Sequence, residues 1–165
     1  MKFCPQCGNK AINKFIDGAK RTICSENDCN YVHWNNPVPV VAALVKHNGK
    51  YLLARNAQWP KNIFSLITGY LESKEEIEKA VLREVKEELN LDGKISAYLG
   101  HYSFFEQNQI IMAFEVKAEG NLKINHELAE SKYLTQQELS TYNFHPLYVT
   151  EKIIKKWLTL NANIL

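Results

Sequence analysis

Two glutamates four residues apart, Glu84 and Glu88, occupy an unusual place in the stretch Ile77 to Leu89. At about 100° per residue, Ile77, Ala80, Val81 and Val85 fall on one arc of a helix, with Lys79, Arg83, Lys86 and Glu87 towards the other side. Glu84 and Glu88 share a face, and that face is the middle of the apolar arc. A solvated acidic helix would carry its acids opposite the apolar residues. Two adjacent carboxylates shielded from water repel each other and take up a proton, unless a divalent cation binds between them.

A second group with chemical capacity is Cys4, Cys7, Cys24 and Cys29, the only cysteines of the chain. They form two close pairs, and Gly8 after Cys7 permits the tight backbone turn of a metal knuckle. The second pair is spaced wider than the usual two-residue gap. Nothing at the N-terminus reads as a secretory leader, so a cytoplasmic, reducing setting is expected, which favours a closed structural Zn²⁺ site over disulfides.

These groups need elements to hold them. Trp34-Asn35-Asn36-Pro37 is turn-like, and the expected division is a zinc ribbon over residues 1–36 and a catalytic domain over 37–165. Val38 to Val45 and Tyr51 to Asn56 are apolar, β-branched runs around Asn48-Gly49, which predicts a hairpin. Phe64 to Ile67 is a further strand candidate. Ser73 with Glu76 three residues on predicts a capping box opening the acid-bearing helix, which should stop near Asn90. Ile95 to Tyr102, Ile110 to Val116 and Ser131 to Leu134 read as strands, and Val149 to Leu160 as a closing helix. The mixture predicts an α/β fold. With 45% hydrophobic residues the chain has enough apolar material for one real core. A formal net charge of +2 gives no bulk argument for nucleic acid or a membrane, and no apolar run is long enough to span a bilayer.

Gly69, five residues, Glu75, seven residues, then Arg83-Glu84-Val85-Lys86-Glu87-Glu88-Leu89-Asn90-Leu91 resembles the box of the Nudix hydrolases. It matches every fixed position but one, where Asn90 replaces a glycine; Asn is the best substitute where a left-handed residue follows a helix. The resemblance implies a Nudix α/β/α sandwich with a mixed sheet, and a loop–helix–loop holding Mg²⁺ or Mn²⁺ against a diphosphate. Carried over by position, Glu84 and Glu88 are metal ligands, Glu87 supports the metal, the Thr68 carbonyl completes the site, and Arg83 holds Glu87. Glu75 either favours the helix dipole or shapes the loop. From Glu130-Ser131-Lys132-Tyr133, similar to a Glu-Ala-x-Trp run of the family, Glu130 is expected as a further metal ligand. Arg55 is a candidate for a substrate phosphate.

A ribbon ahead of such a domain resembles the NADH diphosphatases, and a similar one precedes some enzymes acting on FAD or ADP-ribose. Where NADH diphosphatases carry a Pro- and Trp-rich run, this chain has His101 to Gln109 with neither proline nor tryptophan. Tyr102, Phe104 and Phe105, with Gln107 and Gln109, are candidates to bind a base or nicotinamide ring; alternating aromatics equally suit a core-filling strand. The expected reaction is hydrolysis of a nucleoside-diphosphate-linked small molecule, foremost NADH or NAD⁺ to AMP and nicotinamide mononucleotide. The alternatives are FAD or ADP-ribose, or a non-catalytic nucleotide- or RNA-binding module. Capped RNA is the one nucleic-acid substrate expected, and a homodimer is expected from the resemblance alone.

Overall fold

The computed structural model describes residues 1–162. The chain divides into two compact units, Met1–Pro37 and the residues from Val38 onward.

In the first unit, β1 (Ala11–Ile16) and β2 (Ala19–Cys24) form a hairpin, and β3 (Val32–His33) pairs with β2, all antiparallel. The hairpin turns on Asp17 and Gly18, both at positive φ, 49° and 76°, the conformation a two-residue primed turn requires. The Arg21 guanidinium lies 4.6 Å from the Trp34 ring centroid and donates to the Trp34 carbonyl at 3.0 Å.

The second unit is built around β4 (Val38–His47), whose residues Val40 to Val45 are all buried. A strand buried on both faces needs a layer on each side, and its alternation shows which. Val40, Ala42 and Leu44 join a cluster with Leu139, Ile153, Ile154 and Trp157. Val41, Ala43 and Val45 join another with Ala80, Val81, Val85 and Leu89. The helices supplying these layers are α1 (Ile77–Leu89) on one face, and α2 (Gln136–Thr141) with α3 (Tyr148–Ala162) on the other. Between them runs a mixed sheet in the order β7 (Asp92–Phe104), β8 (Gln109–Glu119), β4, β5 (Lys50–Asn56), β9 (Leu128–Leu134). β4 runs parallel to β8 and antiparallel to β5, and β6 (Ile67–Tyr70) pairs with the first half of β4. This is the α/β/α sandwich expected.

Trp157, fully buried, locks α3 down: its Nε1 donates to Glu115 on β8 at 3.2 Å, and its ring meets Tyr51 at 4.6 Å. Burial and the Glu115 carboxylate push the Tyr51 hydroxyl up to about 12.

Three local expectations need correction. The strand expected at Phe64–Ile67 lies at Ile67–Tyr70; only a single bridge, Ala54 with Ser65, forms before it. Ser73 does not cap α1. The helix begins at Ile77 with Glu76 as an uncapped N-cap, because Lys74 is left-handed (φ 66°) and interrupts any helix from Ser73. Thr135 and Glu138 form the capping box instead, opening α2, an element absent from the sequence reading. Asn90 ends α1 in the left-handed conformation (φ 58°) expected of it.

Candidate active site

α1 lays its apolar stripe on the sheet, and Glu84 and Glu88 follow that stripe inward, since residues four apart share a face. Glu88 is only 6% exposed. Glu84 is seated over the backbone of Gly69: a Cβ added there would stand 1.8 Å from Glu84 Cδ, so any other residue at this position would displace the Glu84 carboxylate. Lys123 and Asn125 donate their amides to the carbonyls of Leu89 and Glu88, tying the segment before β9 to the end of α1.

Arg83 organises the acids. Its Nε and Nη2 grip the two oxygens of Glu75 at 2.8 and 2.9 Å, Nη1 reaches Glu84 at 2.8 Å and Glu87 at 3.0 Å, and Nη2 also donates to the Tyr70 carbonyl. Glu75 accepts from the Glu72 amide as well. It therefore shapes the loop ahead of α1, and the arginine holds its carboxyl below the ordinary range. The surrounding carboxylates raise the guanidinium further.

Glu84 and Glu88 behave differently. Burial raises Glu84, opposed by Arg83, and Glu87 and Glu127 push in the same direction as burial. Glu88 is pushed up to about 8, first by burial and then by Glu84, Glu127 and Glu87. Among the described residues no hydrogen bond reaches the Glu88 carboxylate. A buried, unpartnered carboxyl beside other acids is a donor set that suits a divalent cation, which would restore the charge balance that protonation otherwise supplies.

These acids line a cavity of about 960 Å³, within the range of ligand pockets. Thr68, Gly69, Glu72, Arg83, Glu84, Glu87, Glu88 and Glu127 belong to its lining. So do the apolar and aromatic side chains of Trp59, Pro60, Ile63, Phe104, Leu147 and Tyr148, and the amides of Asn56, Gln58, Gln107 and Gln109. Ser65 and Thr150, both buried, also line it and share a hydrogen bond of 2.9 Å.

The candidates from sequence divide clearly. Thr68, Arg83, Glu84, Glu87 and Glu88 are brought together, and Phe104, Gln107 and Gln109 line the same cavity. Gln109 Nε2 also donates to the Tyr70 hydroxyl at 3.3 Å. Tyr102 and Phe105 do not line it. Tyr102 packs against the core and bonds the Leu99 carbonyl at 2.8 Å, and Phe105 is 86% exposed on a short 3₁₀ turn. Arg55 and Glu130 also lie outside the lining, where they pair with each other at 3.4 Å. In place of Glu130 it is Glu127, three residues earlier, that faces the box acids. Both glutamates lie on one short segment, where the β5–β9 register sets Glu130 opposite Arg55 and, past a shift, Leu128 opposite Asn56. Trp59, Tyr148 and the Ser65–Thr150 pair were also missed, because they come from a loop and from α3, far from the box in sequence.

In the first unit the four thiol sulfurs lie within 4.8 Å of one another, Cys4 to Cys29 at 3.8 Å and Cys7 to Cys24 at 3.4 Å. A disulfide needs about 2.05 Å, whereas one tetrahedral ion with ligands at about 2.3 Å sets sulfurs roughly 3.8 Å apart. The Glu26 amide donates to Cys24 at 3.5 Å. Cys4 is lowered to about 7, burial being outweighed by the amides of Gln6 and Cys7. Cys24 is raised to about 12: the Glu26 amide opposes, but burial and the neighbouring Cys7, Cys29 and Cys4 prevail. All four would be thiolates together only around a cation, and the spacing of the sulfurs fits one.

A three-layer sandwich that turns a helix-borne pair of glutamates into a cavity, over a glycine and braced by an arginine, is a loop–helix–loop site set into an α/β/α fold. The chain belongs to the NUDIX domain family, whose model matches residues 36–158. It is similar to the NAD-capped RNA hydrolase NudC of Vibrio atlanticus, 32% identical over 81% of this chain and 49% of that protein. It is also similar to the human NAD(P)H pyrophosphatase NUDT13, mitochondrial, 26% identical over 95% of this chain and 50% of that one. The chain thus spans about half the length of these relatives. Among solved structures, a NUDIX hydrolase from Nitrosomonas europaea matches with a TM-score of 0.83 and 27% identity, covering 99% of this chain and 93% of that one. No helix among the described residues is long and apolar enough to cross a membrane.

Proposed function

We propose that the protein hydrolyses the diphosphate bridge of a nucleoside-diphosphate-linked molecule with Mg²⁺ or Mn²⁺, foremost NADH or NAD⁺ to AMP and nicotinamide mononucleotide. The observation that carries this reading is one cavity lined both by crowded carboxylates, Glu88 having no hydrogen-bond partner among the described residues, and by apolar and aromatic side chains. The acids suit cations that bridge to phosphates, and the aromatic side chains suit planar rings. The names of the relatives point to the same bond, and NAD-capped RNA is a second substrate on that ground.

Glu84, Glu88 and Glu127 would hold the metal, with the Thr68 carbonyl beside them, and Glu87 would support them. Bound there, a divalent ion supplies Lewis acidity and an activated water. Arg83 keeps Glu84 and Glu87 oriented and lets Glu75 fix the loop beneath. Phe104, Gln107 and Gln109 would contact the ring or ribose end of the substrate. The first unit would hold one structural Zn²⁺ through Cys4, Cys7, Cys24 and Cys29, four ligands leaving no open position for water.

The test is a screen of purified protein with Mg²⁺ or Mn²⁺ against NADH, NAD⁺, FAD, ADP-ribose and NAD-capped RNA, with Glu88→Gln as control. AMP released from NADH or NAD⁺, and lost in the variant, supports the reading. Cleavage only of FAD or ADP-ribose moves the substrate to that dinucleotide. No cleavage, with a nucleotide still raising Tm, favours a sensor.

A further inference from the structure

We propose that Arg55 is a positioning residue: it holds the loop that carries Trp59 as a wall of the cavity, and so sets how tightly the ring end of the substrate is bound. This rests on the cavity being the dinucleotide site.

β5 ends in a register shift between Arg55 and Asn56, which turns the chain out of the sheet into the segment 57–64. That segment has no strand or helix, and most of its bonds are its own turns. Trp59 N donates to the Asn56 carbonyl at 3.0 Å, Gln58 N to Asn56 Oδ1 at 2.9 Å, and Ile63 N to the Pro60 carbonyl at 3.1 Å. Two bonds secure its tip half to the rest of the domain. The Ala57 amide donates to the Glu127 carbonyl at 2.7 Å, and Arg55 Nη1 donates to the Trp59 carbonyl at 3.1 Å. Among the described residues, Arg55 is the only side chain beyond Asn56 that hydrogen-bonds this segment.

Arg55 is well placed for the task. Its side chain is 12% exposed, and Glu130, its register partner on β9, stands 3.4 Å from Nε. A guanidinium donates from separate edges in fixed directions, so Nε can face Glu130 while Nη1 faces Trp59; an ammonium on a flexible stem cannot hold both at once. Asn56, Gln58, Trp59, Pro60 and Ile63 line the cavity, whereas Arg55 and Glu130 do not. The arginine therefore acts behind the wall and not on a phosphate in front of it. Holding a loop in its binding conformation removes an ordering cost that would otherwise fall on the substrate. The Ala57–Glu127 bond joins the same wall to one of the cavity's acids, so the loop and the acidic cluster share one support.

The test compares wild type, Arg55→Lys, Trp59→Leu and the double variant, measuring kcat, KM and Tm for Mg²⁺-dependent cleavage of NADH and ADP-ribose. Loss of an aromatic wall corresponds to KM rising about five- to tenfold, with kcat held within about twofold in each single variant. The double variant should show no larger KM than the worse single, because one residue acts through the other. Multiplied effects in the double variant, a fall in kcat at unchanged KM, or a lower Tm with unchanged KM each overturn the proposal. If wild type cuts neither compound, the catalytic reading of the cavity fails, and tryptophan quenching by ADP-ribose decides this proposal separately. Quenching lost in Trp59→Leu and weakened about tenfold in Arg55→Lys supports it; quenching equal in wild type and Arg55→Lys, or none at all, overturns it.

Discussion

Arg83 and Glu75 face each other across eight residues of chain, with Nε and Nη2 along one guanidinium edge on the two carboxylate oxygens at 2.8 and 2.9 Å. The pair closes the loop ahead of α1 onto the helix, and Nη1 of the same guanidinium aligns Glu84 and Glu87. A sequence reading joins Arg83 to Glu87 by their four-residue spacing; the stronger, two-pronged partner is the one in the loop.

Replacing Glu75 with Gln leaves every carboxylate of the proposed metal site in place but releases the arginine that orients Glu84 and Glu87. Outer partners of metal ligands typically matter by about 10- to 100-fold, so kcat at saturating Mg²⁺ should fall by about tenfold and half-saturation should need more Mg²⁺. Arg83→Lys should lose at least as much, lacking the planar fork. A Mg²⁺ titration of activity checks both, and wild-type behaviour in Glu75→Gln would return that residue to a mere helix-dipole role.

The stability of the metal-free protein should fall as pH rises. Glu88 in the folded state is raised to about 8 from an ordinary 4.5, so between those values the folded chain binds more protons than the unfolded one. Stability therefore declines across that window. Thermal melts without metal at pH 5.5 and 8 should show the lower Tm at pH 8, and Glu88→Gln should flatten the difference. Added Mg²⁺ or Mn²⁺ should raise Tm more at pH 8 than at pH 5.5 in wild type. A Tm independent of pH in both proteins would contradict the buried, unpartnered state of this carboxyl.

Glu127 and Glu130 should separate by mutation. Glu127 lines the cavity and acts on Glu84 and Glu88, so Glu127→Gln should lower kcat by more than about tenfold. Glu130 is 54% exposed and meets Arg55 at the long end of hydrogen-bond range, so Glu130→Gln should change kcat/KM by less than about threefold. Steady-state kinetics with the best dinucleotide decides, and the reverse ranking would restore Glu130 as the metal ligand.

Elemental analysis should find one zinc per chain, retained through gel filtration in a mild chelator. Cys24→Ser should abolish it, because three thiolates no longer close the tetrahedron. A stoichiometry near zero in wild type, with four reactive thiols, would leave the cysteines as a reduced cluster without metal.

Removing one hydroxyl of the Ser65–Thr150 pair leaves the other buried without its partner. Thr150→Val should cost about 1–3 kcal/mol, read as a lower Tm, while Ser65→Ala with Thr150→Val should recover part of it.

Much of this protein is decided locally. The Nudix box, its helix, the inward pair Glu84 and Glu88, the left-handed Asn90 and the pairing of cysteines follow from side-chain type and spacing over short distances, because periodicity and turn chemistry act within a few residues. Ser73 and Phe64 mislead for the same reason: a plausible local signal lost to Lys74 in one case, and to the pairing of Ile67–Tyr70 with β4 in the other. What only the tertiary structure decided depends on distant segments meeting. The β5–β9 register, shifted after Arg55, goes with Glu127 in the cavity lining and Glu130 outside it; β8 and α3 close a cavity that Phe104 lines and Tyr102 does not. No spacing rule encodes these choices, since register between strands far apart in the chain is set by the whole packed sheet.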